Sequence, residues 1–493
     1  MSNFSRKQVM TEQTDTEKNV KSASKKKHLV LDEYGAEYTL IKKLNSGGQG
    51  VVWTTNHHNT LVKTSNQKDQ QKRKRWSDHI RWILRQDLEG FSIASPKALI
   101  TKPVPGYVME LMDGLHALEK DMQRNLDALS NGEGLQGFLN TGGLRRRLLL
   151  LSELAGTLAN LHGKGLAYGD LSPSNVYVSE SIGDSRLWLI DCDNICTNER
   201  AGWEHLYTPG YGAPEVVRGE SGVNSLTDAW SFAVIAYQLL TSNHPLIGEL
   251  VDEGGDFDGI EDFDDLSPEE LQDKAFSGEI PWICDPEDDR NAAEGGIPMR
   301  MVASPQMQTL FHRTFEQGRN SAWDRPTMAE WRSAIDEADA LTMDCHNSEC
   351  RSTFIRSKNC PFCDSETSID NHLLMTALVY ADDPELDRSL LKMGYGRVVN
   401  MDETITFKRI PAGTPVHHDS EDVFQVRLTH EGMALKVVPG QQITIKANDN
   451  AREITQGFTL PQHKKQRRKY FIHLTTDTSP DDVVTHPVWA FIW

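Results

Sequence analysis

The apolar positions of this chain fall into three textures. From Glu37 onward, short apolar runs are separated by polar turns. Residues 38–44 read as a strand, Asn45-Ser46-Gly47-Gly48-Gln49-Gly50 as a glycine-rich turn, and Val51-Val52-Trp53 as the start of a second strand. Thr60-Leu61-Val62 gives a third, ending on Lys63. Residues 95–100 and 107–112 give two more, making a five-stranded antiparallel lobe. Within it, residues 67–88 place Trp76, Ile80, Ile83 and Leu84 at helical spacing and read as one amphipathic helix. Residues 114–143 read as an irregular connection. Residues 148–162 are Leu-rich and helical. Val176-Tyr177-Val178 and Leu187-Trp188-Leu189-Ile190 then form a hairpin. Past residue 370 comes an apolar run of undecided type, 373–380. Six short strand patterns follow at 404–407, 423–428, 433–438, 442–445, 470–474 and 488–492, separated by Gly, Pro, Asp and Asn. A β-sandwich or small barrel is expected there. The first 28 or so residues are polar, nearly free of large apolar groups, and read as a disordered arm. Its Lys25-Lys26-Lys27 is a solvated run or a contact for an acidic surface.

At 493 residues the chain exceeds one domain. A net charge of −19 argues against a general nucleic-acid binder. No apolar run approaches 18 residues, so no membrane span is expected. The first residues hold no apolar signal region, and a cytoplasmic protein is expected. Seven cysteines are few for a disulfide scaffold of this size. Four of them form the set Cys345-x4-Cys350-x9-Cys360-Pro361-Phe362-Cys363. Two cysteine pairs on short turns can place four thiolates tetrahedrally around Zn²⁺, with His346 as an alternative ligand. Such zinc would be structural, since no position stays open for water. The plain alternative is four free thiols. Residues 249–297 are dense in Asp and Glu and read as a solvated acidic insert, or as a docking surface for a basic partner. Ser267-Pro268 opens a short helix there. The basic run 464–469 reads as an exposed hairpin or a seat for a phosphate-bearing partner.

The chemistry centres on Tyr168-Gly169-Asp170-Leu171-Ser172-Pro173-Ser174-Asn175. Asp170 and Asn175 are five residues apart, and Asp191 ends the following hairpin. That set suits phosphoryl transfer. One carboxylate accepts and orients a hydroxyl proton, while the amide and the other carboxylate hold Mg²⁺ (or Mn²⁺) on nucleotide phosphates. A glycine-rich turn brings backbone N–H donors close to phosphates, and Lys63 on the next strand can reach them. Taken singly, each has a bland reading: a capping Asp, a turn Asn, a common hairpin, a surface Lys.

Taken in order, residues 38–340 resemble the eukaryotic-like Ser/Thr protein kinase superfamily. The glycine loop Leu44 to Val52 resembles the kinase loop, with Gly47 and Gly50 at its second and third glycines and Asn45 at the first. Lys63 falls at the third-strand lysine, Met109 at the gatekeeper, and Glu110 to Met112 at the adenine-facing hinge. Asp170 falls at the catalytic base, and Asn175 and Asp191 at the metal ligands. Thr208 matches the Ser/Thr-type residue of the substrate loop, and Ala213-Pro214-Glu215 the end of the activation segment. Asp228 opens the D-x-W-S-F pattern, and Arg325 belongs to R-P-T. The resemblance implies a bilobal α+β fold, with a β lobe at 37–112 and a helical lobe at 113–340. It also implies ATP held by Leu44, Gly47, Gly48, Gly50, Val52, Lys63, Met109, Glu110 and Met112, protein substrates, and a Glu215–Arg325 pair.

The departures are Tyr168-Gly169 for His-Arg, Ser172 for Lys, and Cys192-Asp193 for Phe-Gly. Without that Arg, activity would not depend on an activation-loop phosphate in the usual way. The lysine of the third strand also lacks an obvious acid partner, Asp78 being the nearest candidate. An active enzyme is the first expectation, and a pseudokinase scaffold the alternative. A kinase domain running straight into a four-cysteine module at 343–366, then a β-rich domain at 370–493, is similar to a narrower bacterial group. Those kinases are associated with a 2C-type phosphatase and a von Willebrand A-domain protein in stress clusters.

Overall fold

The computed structural model describes residues 28–46, 50–197, 207–253, 266–368, 371–381, 391–409, 420–447, 450–461, 467–474 and 485–493. Gly47, Gly48, most of the N-terminal arm, the acid-rich core of the insert and residues 464–466 of the basic run lie outside them. The chain divides into two compact units, one ending at Arg81 and including residues 96–111, the other made of residues 82–95 and 112–493.

The first unit is a closed antiparallel barrel of six strands, in the order His28–Asp32, Glu37–Ser46, Gly50–Thr55, Thr60–Ser65, Gly106–Glu110, Ala98–Lys102. Five strands were expected. The sixth, His28–Asp32, falls partly inside the stretch read as a disordered arm. Its three apolar residues beside a lysine run are too few to signal a strand alone. It forms because it closes the barrel, pairing Val30 with Tyr38 and Asp32 with Ile100. Val30, Val62, Ala98, Ile100 and Val108 fill the interior. The amphipathic helix is shorter than the 67–88 pattern and runs Gln70–Ile83. Asp69 Oδ1 caps it by accepting the Lys72 N–H at 2.8 Å.

In the second unit, the expected irregular connection is ordered. Strand Leu115–Ala117, helix Leu118–Ser130 and helix Gln136–Asn140 occupy it. The buried face of Leu118–Ser130 is Leu118, Asp121, Met122, Asn125 and Ala128, at helical spacing. Two of those five are polar, which hid the stripe. Asp121 is satisfied inside by Arg146 Nη1 (2.7 Å) and His116 Nε2 (2.8 Å). Helix Gly143–Gly163 follows, then helix Ser225–Thr241, almost wholly buried, with Asn224 and Thr227 forming a reciprocal cap. Around the latter, Trp230, Tyr237, Trp282, Phe311 and Phe315 pack edge to face. Trp282 belongs to the acidic insert. With Leu250, Leu271 and Ile280 also buried, the flanks of that insert are core, not a solvated loop. Ser267 and Glu270 cap helix Pro268–Phe276 reciprocally.

The cysteine-bearing hairpin pairs Thr342–Asp344 with Thr353–Ile355. Three residues a strand are too few to enclose a core of their own. Instead Met343, Phe354 and Cys360 share a core with Val398 of the following β region. That region is two packed antiparallel sheets. One is ordered Leu391–Asn400, His372–Ala381, Thr485–Ile492, Lys469–His473, Ile443–Ala447, Asn450–Ile454. The other is ordered Thr404–Lys408, Asp422–Thr429, Gly432–Val437, Gly457–Pro461. The apolar run of undecided type is the strand His372–Ala381.

Arg325 fastens the helical part. Its side chain has 0% exposure and grips Glu215 through Nη1 (2.8 Å) and Nη2 (2.7 Å). Its Nε donates to Gly318 O and its Nη1 to Leu226 O. Replacing Glu215 by Ala would leave this guanidinium buried without its counter-charge. We expect guanidinium-chloride unfolding of that variant to show a loss of about 3–5 kcal/mol.

Candidate active site

Residues 168–175 owe their shape to Asp228, in the first turn of the buried helix. Its carboxylate accepts the backbone N–H groups of Tyr168 (2.7 Å) and Gly169 (2.9 Å) and faces His162 Nε2 at 2.9 Å. Gly169 sits at φ +92°, and a Cβ there would lie 2.8 Å from the Asn194 carbonyl oxygen. The residue replacing the kinase Arg is therefore fitted to its own backbone. Tyr168 is fully buried and its hydroxyl donates to the Ile190 carbonyl, one residue before Asp191. The side chain replacing the kinase His thus ties the loop to the end of strand Leu187–Leu189.

Three groups converge on Asp170. Thr208 Oγ1 donates to Oδ1 at 2.8 Å, Asn194 Nδ2 lies 3.5 Å from Oδ2, and Asn175 Nδ2 donates to the Asp170 carbonyl at 2.9 Å. Burial raises the Asp170 pKa above the usual carboxylate range. The Thr208 bond opposes that rise, and the nearby Asp191 charge adds to it. The Asn175 carbonyl accepts the Ile190 N–H at 3.0 Å, fixing Asn175 beside the strand that ends at Asp191. Asp191 itself has φ +55° and stands at the start of the short turn Cys192–Asn194. Cys192, in place of Phe, is buried and donates its S–H to Ala94 O at 3.1 Å. Ser172, in place of Lys, is buried with Oγ 2.9 Å from Ser174 Oγ. His162 and Asn194 were not singled out from the sequence. His162 looked like one more helix residue, and Asn194 carries no motif of its own.

The other candidates lie on the barrel. Lys63 is only 4% exposed and pairs across strands with Val52. A Cβ on Gly50 would come within 2.7 Å of Thr64 O, so only glycine keeps that strand close. Met109 is buried opposite Leu61, while Glu110 and Leu44 are exposed. Met112 belongs to the second unit. Asp78 pairs with Arg81 at 3.1 Å.

The four cysteines are brought together, each Sγ within 4.8 Å of the others. Cys345–Cys363 and Cys350–Cys360 are 3.6 and 3.8 Å apart. Zn–S bonds of about 2.3 Å give a tetrahedron with edges of about 3.8 Å, so the set fits zinc. His346 is exposed and outside it.

Comparison with known proteins adds the following. Residues 38–317 match the sequence profile of the protein kinase domain. The chain is 34% identical over 98 residues to maternal embryonic leucine zipper kinase of Xenopus laevis, covering 19% of this chain and 14% of that protein. It is 34% identical over 129 residues to serine/threonine-protein kinase pkn2 of Myxococcus xanthus, 24% of this chain and 15% of that one. It is 25% identical over 228 residues to serine/threonine-protein kinase mos of Gallus gallus, 43% and 63% respectively. The chain thus spans less than two thirds of each of these relatives.

The loop after Thr208 is braced by a neutral histidine. His244 Nε2 donates to Gly210 O (3.0 Å), and its Nδ1 accepts the Leu246 N–H (3.2 Å). Burial drives its pKa down to about 4. The unfolded chain, with an ordinary His value near 6.5, binds the extra proton first as pH falls. The contribution of His244 is therefore complete above about pH 6.5 and lost on descending to about pH 4, to an upper limit of about 3 kcal/mol. We expect the stability difference between the native chain and His244→Asn to shrink across that window. Denaturant midpoints taken at half-unit pH steps check it.

Proposed function

We propose, for a chain that belongs to the protein kinase domain family, transfer of the ATP γ-phosphate to Ser or Thr hydroxyls of proteins, its own chain included. The observation that carries this reading is Asp170, with Thr208 on one carboxylate oxygen and Asn175 on its carbonyl. In the proposed mechanism Asp170 orients the substrate hydroxyl and takes its proton, helped by a pKa that burial lifts. Thr208 keeps that carboxylate turned toward the acceptor, which fits a Ser or Thr side chain. Asn175 and Asp191 would hold Mg²⁺, or Mn²⁺, whose charge offsets that of the phosphates. Leu44, Gly47, Gly48, Gly50 and Val52 cover the nucleotide, Lys63 steadies its phosphates, and Met109, Glu110 and Met112 meet the base. Glu215, Asp228 and Arg325 are the structural supports.

A second reading, a nucleotide-binding scaffold without transfer, draws on Cys192. A sulfhydryl bonded to Ala94 O stands where the family packs a phenyl ring. The domain division is proposed as 37–340, 343–366 and 370–493, with the four cysteines holding structural zinc. The order of kinase, cysteine module and β domain supports a cytoplasmic signalling role. In it, a cognate 2C-type phosphatase and a von Willebrand A-domain protein would be partners, in a bacterial stress response.

The deciding assay is phosphate incorporation from labelled ATP with Mg²⁺. Asp170→Asn should cut the rate by roughly two to four orders of magnitude. Tight ATP binding with no incorporation in the native chain would favour the scaffold. For zinc, we expect about one equivalent per chain by metal analysis. Cys360→Ser should lose the metal and lower the melting temperature by several degrees, because Cys360 belongs to the shared core.

A further inference from the structure

Between its two sheets, the C-terminal β region holds a cleft of about 200 Å³. The cleft opens where both sheets end. Asn450–Ile454 is the last strand of one sheet, and Gly457–Pro461, next along the chain, is the last strand of the other. Ile445, Ile454 and Tyr470 of the first sheet and Phe458 and Leu460 of the second give it apolar walls. Ala447 and Asn450, paired across a hairpin, line it too. The remaining lining group is Arg452. It pairs across strands with Ile445 and stands two residues from Ile454, so it lies on the face turned toward the other sheet. No carboxylate among the described residues pairs with it, and its neighbour Glu453 belongs to the opposite face of the strand. An apolar slot with one unpaired cation fits an apolar group that carries an anion beside it. A cavity of roughly 150 Å³ is enough for a benzene ring, so the slot has room for one phenyl side chain. The two strand edges beside it offer unpaired backbone groups to an extended peptide.

The chain carries that chemistry in its acidic insert. Residues 254–265 hold six carboxylates and no cation, and within them the triplet Asp-Phe-Asp occurs twice, at 256–258 and 262–264. Around the cleft the balance is reversed. Residues 443–470 hold seven Lys and Arg against two Asp and Glu, in a chain of net charge −19. We propose that the cleft docks an Asp-Phe-Asp triplet from the insert of a second copy of the chain, with the phenyl ring between the sheets and a flanking carboxylate on Arg452. The contrast between an acidic insert and a basic sheet edge favours the encounter and sets its direction. Tether length favours a second copy over the same chain. Strand Leu391–Asn400, which packs against helix Met328–Ala340, is the opposite edge of the sheet from Asn450–Ile454. Four strands lie between them, which separates the two edges by about 24 Å. Phe257 is four residues from Glu253 and Phe263 is three from Leu266, where the described chain resumes. Four residues reach about 14 Å at full extension. A second copy is free of that tether. Since each chain carries both a cleft and the triplets, two chains can dock reciprocally and close a two-fold dimer. This docking is independent of the kinase reading.

The probe is a fluorescent peptide of residues 254–266, titrated into the full chain and followed by anisotropy. We expect saturable binding that weakens as salt is raised. Phe257→Ser with Phe263→Ser in the peptide leaves its charge unchanged and should weaken binding at least tenfold. Arg452→Glu in the protein should do the same by removing the cation, and Ala447→Phe by filling the slot. Arg452 is exposed and Ala447 half-buried, so both variants should keep the native melting temperature. No binding, or equal binding to the native chain and both variants, overturns the site. Undiminished binding of the Ser-bearing peptide overturns the phenyl seat. For the second copy, sedimentation equilibrium should show dimers of the native chain. It should show monomers of the Arg452→Glu chain and of a chain carrying Phe257→Ser with Phe263→Ser. Mixing those two variants should restore association, because one brings intact triplets and the other an intact cleft. A native chain that binds the peptide yet stays monomeric overturns the second copy as the occupant.

Discussion

A single buried carboxylate holds the second unit's chemistry in place. Asp228 is 1% exposed, yet it accepts two backbone N–H groups from the loop 168–175 and faces His162. A buried charge is tolerated only when its hydrogen bonds are made, and here they are made by the loop itself. Its place in the first turn of helix Ser225–Thr241 adds the favourable field of the helix N-terminus. The same helix supplies Leu226 O to Arg325, Leu239 O to Arg147 and Ser231 Oγ to Tyr211 O. Loop, activation-segment end and late arginine are therefore registered to one rigid post. That common reference is what brings Thr208 within 2.8 Å of Asp170 although 38 residues separate them.

Seen from that post, the departures from the kinase pattern work as a set. Gly169 removes a Cβ that would strike the Asn194 carbonyl, and the Asn194 amide in turn reaches toward Asp170. Tyr168 spends its hydroxyl on Ile190 O, next to Asp191. Cys192 binds the Ala94 carbonyl. The Tyr168 and Cys192 bonds both end on backbone carbonyls. They need no phosphate or cation from elsewhere, so the loop can be held without an activation-loop charge.

What was legible in the sequence was whatever declared itself by local chemistry. The loop 168–175, the Leu-rich helix, the Ser267 cap and the cysteine spacing all depend on near neighbours along the chain. What was missed depended on distant ones. Asp121 and Asn125 look like surface residues until Arg146, His116 and Ser242 arrive to satisfy them, so helix Leu118–Ser130 showed no clean apolar stripe. Strand His28–Asp32 exists because a barrel needs closing, and Trp282 enters the core although acidic residues surround it in sequence. In the candidate site, spacing alone singled out Asp170, Asn175 and Asp191. His162 and Asn194 were not, since a lone polar residue declares a role only when its partner is in place.

The same logic joins the C-terminal region to helix Gly143–Gly163. Arg145, in the first turn of helix Gly143–Gly163, donates through Nε to Thr342 Oγ1 at 2.9 Å and pairs with Glu403 at 3.3 Å. Its near neighbour Arg147 has no carboxylate within bonding distance among the described residues. It donates to the carbonyls of Leu239, Phe138 and Gly143 and to Thr141 Oγ1, with its guanidinium 3.8 Å over the Phe138 ring. Phe138 in turn packs against Phe362, inside the C-P-F-C knuckle. Burial lowers the Arg147 pKa to about 9, the Asp121 charge opposing the fall, which still leaves it cationic at neutral pH. The cysteine hairpin therefore presses on the N-terminal end of the helix whose C-terminal end carries His162 into the Asp228 cluster. A metal that orders the hairpin would stiffen this helix at one end while Asp228 anchors it at the other. Helix Gly143–Gly163 thus touches the cysteine hairpin at one end, through Arg145, and the Asp228 cluster at the other, through His162.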